Sequence, residues 1–144
     1  DGSGCTGVRV RVPWNDGNSS NFVSVSTNDF AGESNTATLV TTDSDSGTAG
    51  TQPHRAAQWC ADLSVHGYSD WYLPALQELE VLQDNYAAIG NFALNSNSQV
   101  GHWSSTENTF NSEQAIVFSF YNDDNSNRSK HDTTWHYLRC VRKE

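Results

Sequence analysis

Methionine is absent from the 144 residues, proline occurs three times, and lysine and arginine together number eight. Without methionine the core lacks its usual flexible gap-filler, so packing falls to rigid rings: five Trp, six Phe and five Tyr. Seventeen acids against eight bases leave a formal charge of −9. That argues against nucleic acid, since neutralising phosphates takes clustered Lys and Arg. It also argues against anionic membranes. The acidity is uneven: residues 1–100 carry eleven acids and three bases, residues 101–144 six and five. The C-terminal third is nearly neutral, and a ligand meeting it need not be cationic.

Other absences narrow the chemistry. No apolar run reaches the length of a membrane-spanning helix, so no membrane insertion is expected. The histidines at 54, 66, 102, 131 and 136 form neither H-x-x-x-H nor H-E-x-x-H, and there is no C-x-x-C, so zinc has little support. No Ser-His-Asp arrangement, phosphate loop or dinucleotide fingerprint occurs. The expectation is a single binding domain over residues 1–144, without enzymatic activity or cofactor, and long enough to bury a core.

Along the chain, Val8, Val10 and Val12 alternate with Arg9 and Arg11, the period of a half-buried strand. Pro13-Trp14-Asn15-Asp16-Gly17 ends it as a turn. A second strand is expected over Asn21–Ser26. Residues 27–50 read as polar, with an apolar island at Ala37–Val40 and a surface loop from Asp43 to Gly50. Thr51 suits the cap of a helix from about Gln52 to Val65, with Ala56, Cys60 and Leu63 on one face and Gly67 just past its end. A second helix runs from Pro74 to about Ile89; Leu76, Leu79, Leu82 and Tyr86 make its apolar stripe, with Glu78, Glu80 and Gln83 opposite. An Asn- and Ser-rich loop follows through Gln99. Strands are expected at His102–Thr106, Ala115–Phe120 and Thr134–Val141, giving an α+β domain.

Four stretches together are specific. They are W-C-A-D-L (Trp59–Leu63), G-Y-S-D-W-Y-L-P-A-L-Q-E-L (Gly67–Leu79), H-W-S-S-T-E (His102–Glu107) and Y-L-R-C-V-R (Tyr137–Arg142). In this order, over residues 54–142, they resemble the C-terminal domain of Legionella collagen-like proteins. The resemblance implies a C-type-lectin-like fold, with two helices packed on a mixed, mainly antiparallel sheet and long polar loops. Tyr72 stands where that family usually has Arg, which removes any ion pair the Arg would make. Formylglycine-generating enzymes have a related fold but use a reactive cysteine pair, for which this chain gives little support.

The resemblance also implies a disulfide between Cys60 and Cys140. On the chain-entropy model such a loop contributes about 4–5 kcal/mol, often less in practice. The alternative is two buried thiols. Cys5 is left over. Many C-type lectins bind sugar through calcium, and the dense clusters here are Asp43 with Asp45, and Asp123 with Asp124 and Asn125. Trp14-Asn15-Asp16 matches a lectin calcium motif in letters but lies in the wrong part of the fold.

Between the fixed-looking anchors, Glu107–His136 is rich in Asn, Ser, Asp, Thr and His, with aromatics interspersed. Taken alone, such text is an ordinary polar loop. Many relatives in the family are variable proteins of diversity-generating retroelements, in which template asparagine codons are rewritten at their adenines. Those codons cannot yield Lys, Glu, Gln or Trp, so Lys130, Glu113, Gln114 and Trp135 are expected to be fixed or to come from other codons. The resemblance thus implies a variable ligand-binding surface over about residues 107–136, made of Asn108, Phe110, Asn111, Ser119, Tyr121, Asn122, Asp124, Asn127, Arg128, His131, Asp132, Thr133 and His136. Phe110 and Tyr121 suit low-entropy anchors, as in antibody loops. Strand alternation sets Ile116, Phe118 and Phe120 on one face and Val117, Ser119 and Tyr121 on the other, expected to meet ligand. The expected partner is a cell-surface protein or glycan, the expected place extracellular, cell-surface or virion-associated, with oligomerisation open. The alternative is a calcium-dependent or glycosaminoglycan-binding adhesin.

Overall fold

In the computed structural model the described residues are 9–16, 30–94, 96, 100–131 and 135–143. Cys5, Val8, the strand expected over Asn21–Ser26, and the candidates Asp132 and Thr133 lie outside them. The elements are β1 (Arg11–Val12), α1 (Gly32–Val40), α2 (Arg55–Ala61), α3 (Leu76–Asp84), α4 (Tyr86–Ile89), β2 (His102–Glu107), β3 (Gln114–Ser119), β4 (Asp124–Ser129) and β5 (His136–Tyr137). The sheet order is β1-β5-β2-β3-β4. β2, β3 and β4 form an antiparallel meander; β5 runs parallel to β2 and antiparallel to β1. The first and last strands therefore close one side of a mixed sheet, as a C-type-lectin-like fold requires.

Both sheet faces are covered. On one lies the larger core of Val12, Trp14, Leu39, Ala56, Ala57, Cys60, Leu73, Trp103, Ala115, Val117, Leu138 and Cys140. On the other, Leu79 of α3 packs with Phe92, Phe118 and Phe120. Cys60 and Cys140 form the disulfide, joining α2 to the segment after β5.

Central strand β2 explains why W-S-S-T-E is recognisable. All six of its residues are buried, most of them polar, so each polar group needs a partner inside the fold. From Trp103 to Glu107 β2 advances four residues while β3 advances two, from Val117 to Ala115. The resulting bulge turns backbone away from the ladder. The Ser105 amide donates to the Pro74 carbonyl (2.8 Å) and the Leu76 amide to Thr106 Oγ1 (3.1 Å). The Ser104 hydroxyl donates to the Ile116 carbonyl (2.9 Å), and Asn35 Nδ2 donates to Ser105 Oγ (3.2 Å). Two indoles stitch the N-terminal segment on: Trp14 Nε1 donates to the Ser104 carbonyl and Trp103 Nε1 to the Val12 carbonyl, each at 2.9 Å.

The other two motifs meet each other. Tyr72 and Val141 exchange backbone hydrogen bonds of 2.8 and 3.0 Å. Arg142 forks onto the Asp70 carboxylate at 2.9 and 3.0 Å and lies 3.8 Å from the centre of the Tyr68 ring. Arg139 is buried, donates to the Gly90 and Asn91 carbonyls, and stacks on Phe92 at 4.2 Å. Tyr72, in place of the family's Arg, donates its hydroxyl to Glu78 at 3.2 Å. Burial beside that carboxylate raises the Tyr72 pKa, so it stays a donor.

Several expectations are corrected. The first helix begins at Arg55, not near Gln52; Thr51 does not cap it, and the Trp14 carbonyl takes the Ala56 amide at 3.2 Å. Gly67 (φ 80°) is not a helix end but half of a tight turn with His66, closed by mutual Val65–Tyr68 hydrogen bonds. The second helical pattern breaks at Asn85 into α3 and α4. Pro74 lies before that helix, and Glu78 is buried, accepting from the Ala75 amide at 2.8 Å. Within the expected surface loop, Ser44 and Asp45 are buried. The last strand is only His136–Tyr137. Helix α1 and strand β4 were not expected at all.

Candidate binding surface

Strand β4 lies at the end of the sheet and reads Asp-Asn-Ser-Asn-Arg-Ser, with every residue exposed or half-exposed. Six consecutive pairs hold it to β3, from Gln114↔Ser129 to Ser119↔Asp124. Side chains of an antiparallel pair that lie opposite each other share a face. Ile116 and Phe118 therefore face with Asn127 and Asn125, while Ala115 and Val117 face the larger core with Arg128 and Ser126. This reverses the expected assignment. Val117 is core, and the more open side of β3 carries half-exposed Ile116.

A buried ion pair anchors the hairpin. Lys130, fully buried, donates its ammonium to Glu107, itself 1% exposed, and sits 4.6 Å from the centre of the Trp14 ring. Its backbone accepts from the Asn15 amide and donates to the Glu113 carbonyl, at 3.1 and 2.9 Å. Burial pulls the Lys130 pKa down, with Glu107 opposing. The one lysine inside the polar segment thus belongs to the frame.

The thirteen candidates separate by role. Phe110 is 97% exposed at the tip of the β2–β3 turn, and Tyr121 is 56% exposed at the β3–β4 turn. Asn122, Asp124 and Asn127 are exposed as well. Asn108 and Asn111 instead build the turn that presents Phe110: their Oδ1 atoms accept the Phe110 and Glu113 amides, each at 3.0 Å. Asn108 Nδ2 also donates to Gln114 Oε1 at 2.8 Å. Arg128 and His131 are half-buried.

Two candidates are contradicted as surface groups. Ser119 is buried and its Oγ accepts the Asn122 amide at 3.4 Å, closing the β3–β4 turn. His136 is buried against Trp103, ring centroids 4.5 Å apart, and accepts the Gly101 amide. Burial, reinforced by Arg128 and Arg11, lowers its pKa to about 4, so it is neutral near pH 7.

The exposed face of the hairpin and helix α3 enclose a trough. At one end Leu76 and Ile116 floor an opening of about 310 Å³ walled by Phe110, Thr109, Asn125 and Asn127. At the other, about 490 Å³ lies between α3 (Gln77, Glu80, Val81, Asp84) and the β3–β4 turn (Asp123, Asp124, Asn125), over Phe118. Asn125 borders both. Phe110 and Asn127 are thereby brought together, whereas Tyr121 and Asn122 belong to the far turn. Glu80 and Asp84 were not expected, their only signal being their i, i+4 spacing; Asn125 was considered only as part of an acidic calcium cluster, not as a surface contact.

Of the acidic clusters considered for calcium, Asp43 with Asp45 has other work. Asp43 Oδ1 accepts the Gln52 amide (2.7 Å), and Asp45 accepts from the Gly47 amide (2.9 Å) and the Thr48 hydroxyl (2.6 Å), which folds their own loop. Trp14 of Trp-Asn-Asp is core, and Asp16 pairs with Arg55. Among the described residues no group of three His, Cys, Asp or Glu is placed to hold a metal.

The motifs that resembled a family are thus the frame of this domain: the bulged buried strand, the crossed Asp70–Arg142 pair and the disulfide. Over residues 13–142 the chain matches the family described as the Lcl C-terminal domain. The chain belongs to this family. The Lcl C-terminal domain match begins well before the motif block at 54 and so includes Trp14, which lies in the same core as the disulfide. No curated protein and no solved structure matches the chain. No helix among the described residues is long and apolar enough to cross a membrane.

Proposed function

We propose that this Lcl C-terminal domain is a non-enzymatic recognition module, displayed extracellularly on a cell or a virion. It binds a surface macromolecule through the exposed hairpin and its two turns. The observation that carries the reading is the division of labour in residues 102–130. A wholly polar strand, β4, stands exposed, while the groups that hold it, from Trp103 to Lys130, are buried. Exposed side chains on a rigid frame can be exchanged at little cost in stability, as recognition surfaces require.

The same division supports diversification by a retroelement. Phe110, Tyr121, Asn122, Asp124 and Asn127 are reachable from asparagine codons through adenine changes alone, and all are exposed. Of the residues not reachable in that way, Lys130 is buried and Gln114 half-buried, while Glu113 and Trp135 are exposed. Sequencing the DNA around the gene tests this. The expected result is a near-copy of the codons for Trp103–Arg142 beside a reverse transcriptase gene. The copy should differ only at adenines, at exposed positions, and should spare Trp103, Lys130 and Cys140. A locus with no such copy would mean an ordinary fixed surface.

A further inference from the structure

Resting on that recognition role, we infer that the occupant of the trough is a cationic, extended peptide segment of a partner protein. Its apolar side chain lies at the Phe110 end and its lysine or arginine at the Asp123 end.

Charge decides the ligand class. Among the described residues no base lines either opening, while Glu80, Asp84, Asp123 and Asp124 line the larger one. Glu80 and Asp84 are one helical turn apart on α3, a like-charge spacing that weakens a helix. Asp123 and Asp124 add two more carboxylates from the facing turn. Asp124 Oδ1 takes the Asn125 amide at 2.8 Å; among the described residues neither Glu80 nor Asp84 forms an ion pair. A cation entering here relieves mutual repulsion, whereas sulfated or carboxylated polymers meet it.

The other end decides that the cation is carried by a peptide. Leu76 and Ile116 form an apolar floor beside the exposed Phe110 ring, in a volume suited to one large side chain. Asn125 and Asn127 lie two residues apart on one strand face, hence about 7 Å, the repeat of an extended peptide. Each carboxamide offers both donor and acceptor, matching a backbone N–H and C=O. A neutral saccharide could use the amides and the ring, but the four carboxylates would have no partner in it.

The test titrates the isotope-labelled domain with three probes, following backbone amide shifts. They are a blocked hexapeptide with phenylalanine at one end and two lysines at the other, its glutamate-for-lysine counterpart, and cellobiose. The lysine peptide is expected to shift Glu80, Asp124, Asn125 and Asn127, and the glutamate peptide to leave them in place. Asp123→Asn/Asp124→Asn should weaken the lysine peptide by about two- to thirtyfold, as losing two exposed ion pairs implies. Asn suits the left-handed backbone of residue 123 (φ 53°), so the turn is retained. Asp62→Asn/Glu113→Gln, removing equal charge elsewhere, should change affinity by less than about twofold. Equal binding of the glutamate peptide, equal loss in both double variants, or no shift with lysine peptide overturns the inference. Shifts from cellobiose alone would also overturn it, while leaving the recognition role, which the locus tests separately.

Discussion

Replacing Lys130 with methionine is expected to cost about 3–5 kcal/mol, the penalty of leaving its buried partner, Glu107, uncompensated. For a chain of this size that is a fall of roughly 10 °C or more in melting temperature. Methionine nearly fills the volume of the lysine stem, so the loss comes from charge rather than from a cavity. It also removes the ammonium from Trp14. The double variant Lys130→Met/Glu107→Gln should recover much of the loss, because neither charge then remains buried. Denaturant unfolding of the four proteins gives the coupling directly. Equal stability of Lys130→Met and the parent would mean that this pair does not anchor the hairpin.

Acid should unfold the domain well before its carboxylates titrate. Burial lowers the pKa of His54 to about 4, His102 to about 3 and His136 to about 4. Unfolded histidine titrates near 6.5. Between these values the unfolded chain binds protons that the folded chain does not, so stability rises with pH and falls on acidification. The contribution is fully present above about pH 6.5 and is lost as pH drops through 4. Each histidine adds at most about 1.4 kcal/mol per pH unit, so three give roughly 4. Asp70, lowered by its bond to Arg142, acts in the same direction but only near and below the ordinary carboxylate range. His102 stands among Phe92, Phe120 and Tyr137. His102→Phe keeps a ring there and should reduce the slope of stability against pH by about one third. A flat profile from pH 7 to 5 would show that the three rings are not excluded from water and protons.

Much of the frame was legible in the sequence because its signals are local or motif-bound. The Leu76–Leu79–Leu82 stripe marks α3, and the apolar alternation of Ala115–Phe120 marks β3. Two elements gave no such signal. Helix α1 turns Asn35 and Thr36 inward beside Leu39; Asn35 bonds Ser105, and Thr36 Oγ1 both accepts the Leu73 amide and donates to its carbonyl. A helix whose buried face is half polar has no apolar period to find. Strand β4 is polar on both faces because neither is deeply covered, so only its pairing with β3 defines it.

The exposure of the candidate surface was misjudged in detail for related reasons. Facing was reversed on β3 because both of its faces carry buried residues, Ala115 and Val117 in the larger core and Phe118 against Leu79 of α3, leaving no bare face to infer from alternation. Asn108, Asn111 and Ser119 are residue types that serve binding and turns equally well, and here backbone amides occupy them. Glu80 was assigned to the side of the helix opposite the apolar stripe and is exposed, whereas Glu78, assigned with it, is buried. That this side borders the hairpin is a tertiary fact that no spacing within α3 contains.

The most direct test of the division between frame and surface is a saturation scan of residues 101–142, read by protease resistance of each displayed variant. At Phe110, Tyr121, Asn122, Asp124 and Asn127 most substitutions should stay within about 0.5 kcal/mol of the parent. At Trp103, Ser105, Lys130 and Cys140 most should be destabilising by more than about 1 kcal/mol. If the exposed five prove as intolerant as Lys130, the hairpin supports the fold and is not a surface free to vary.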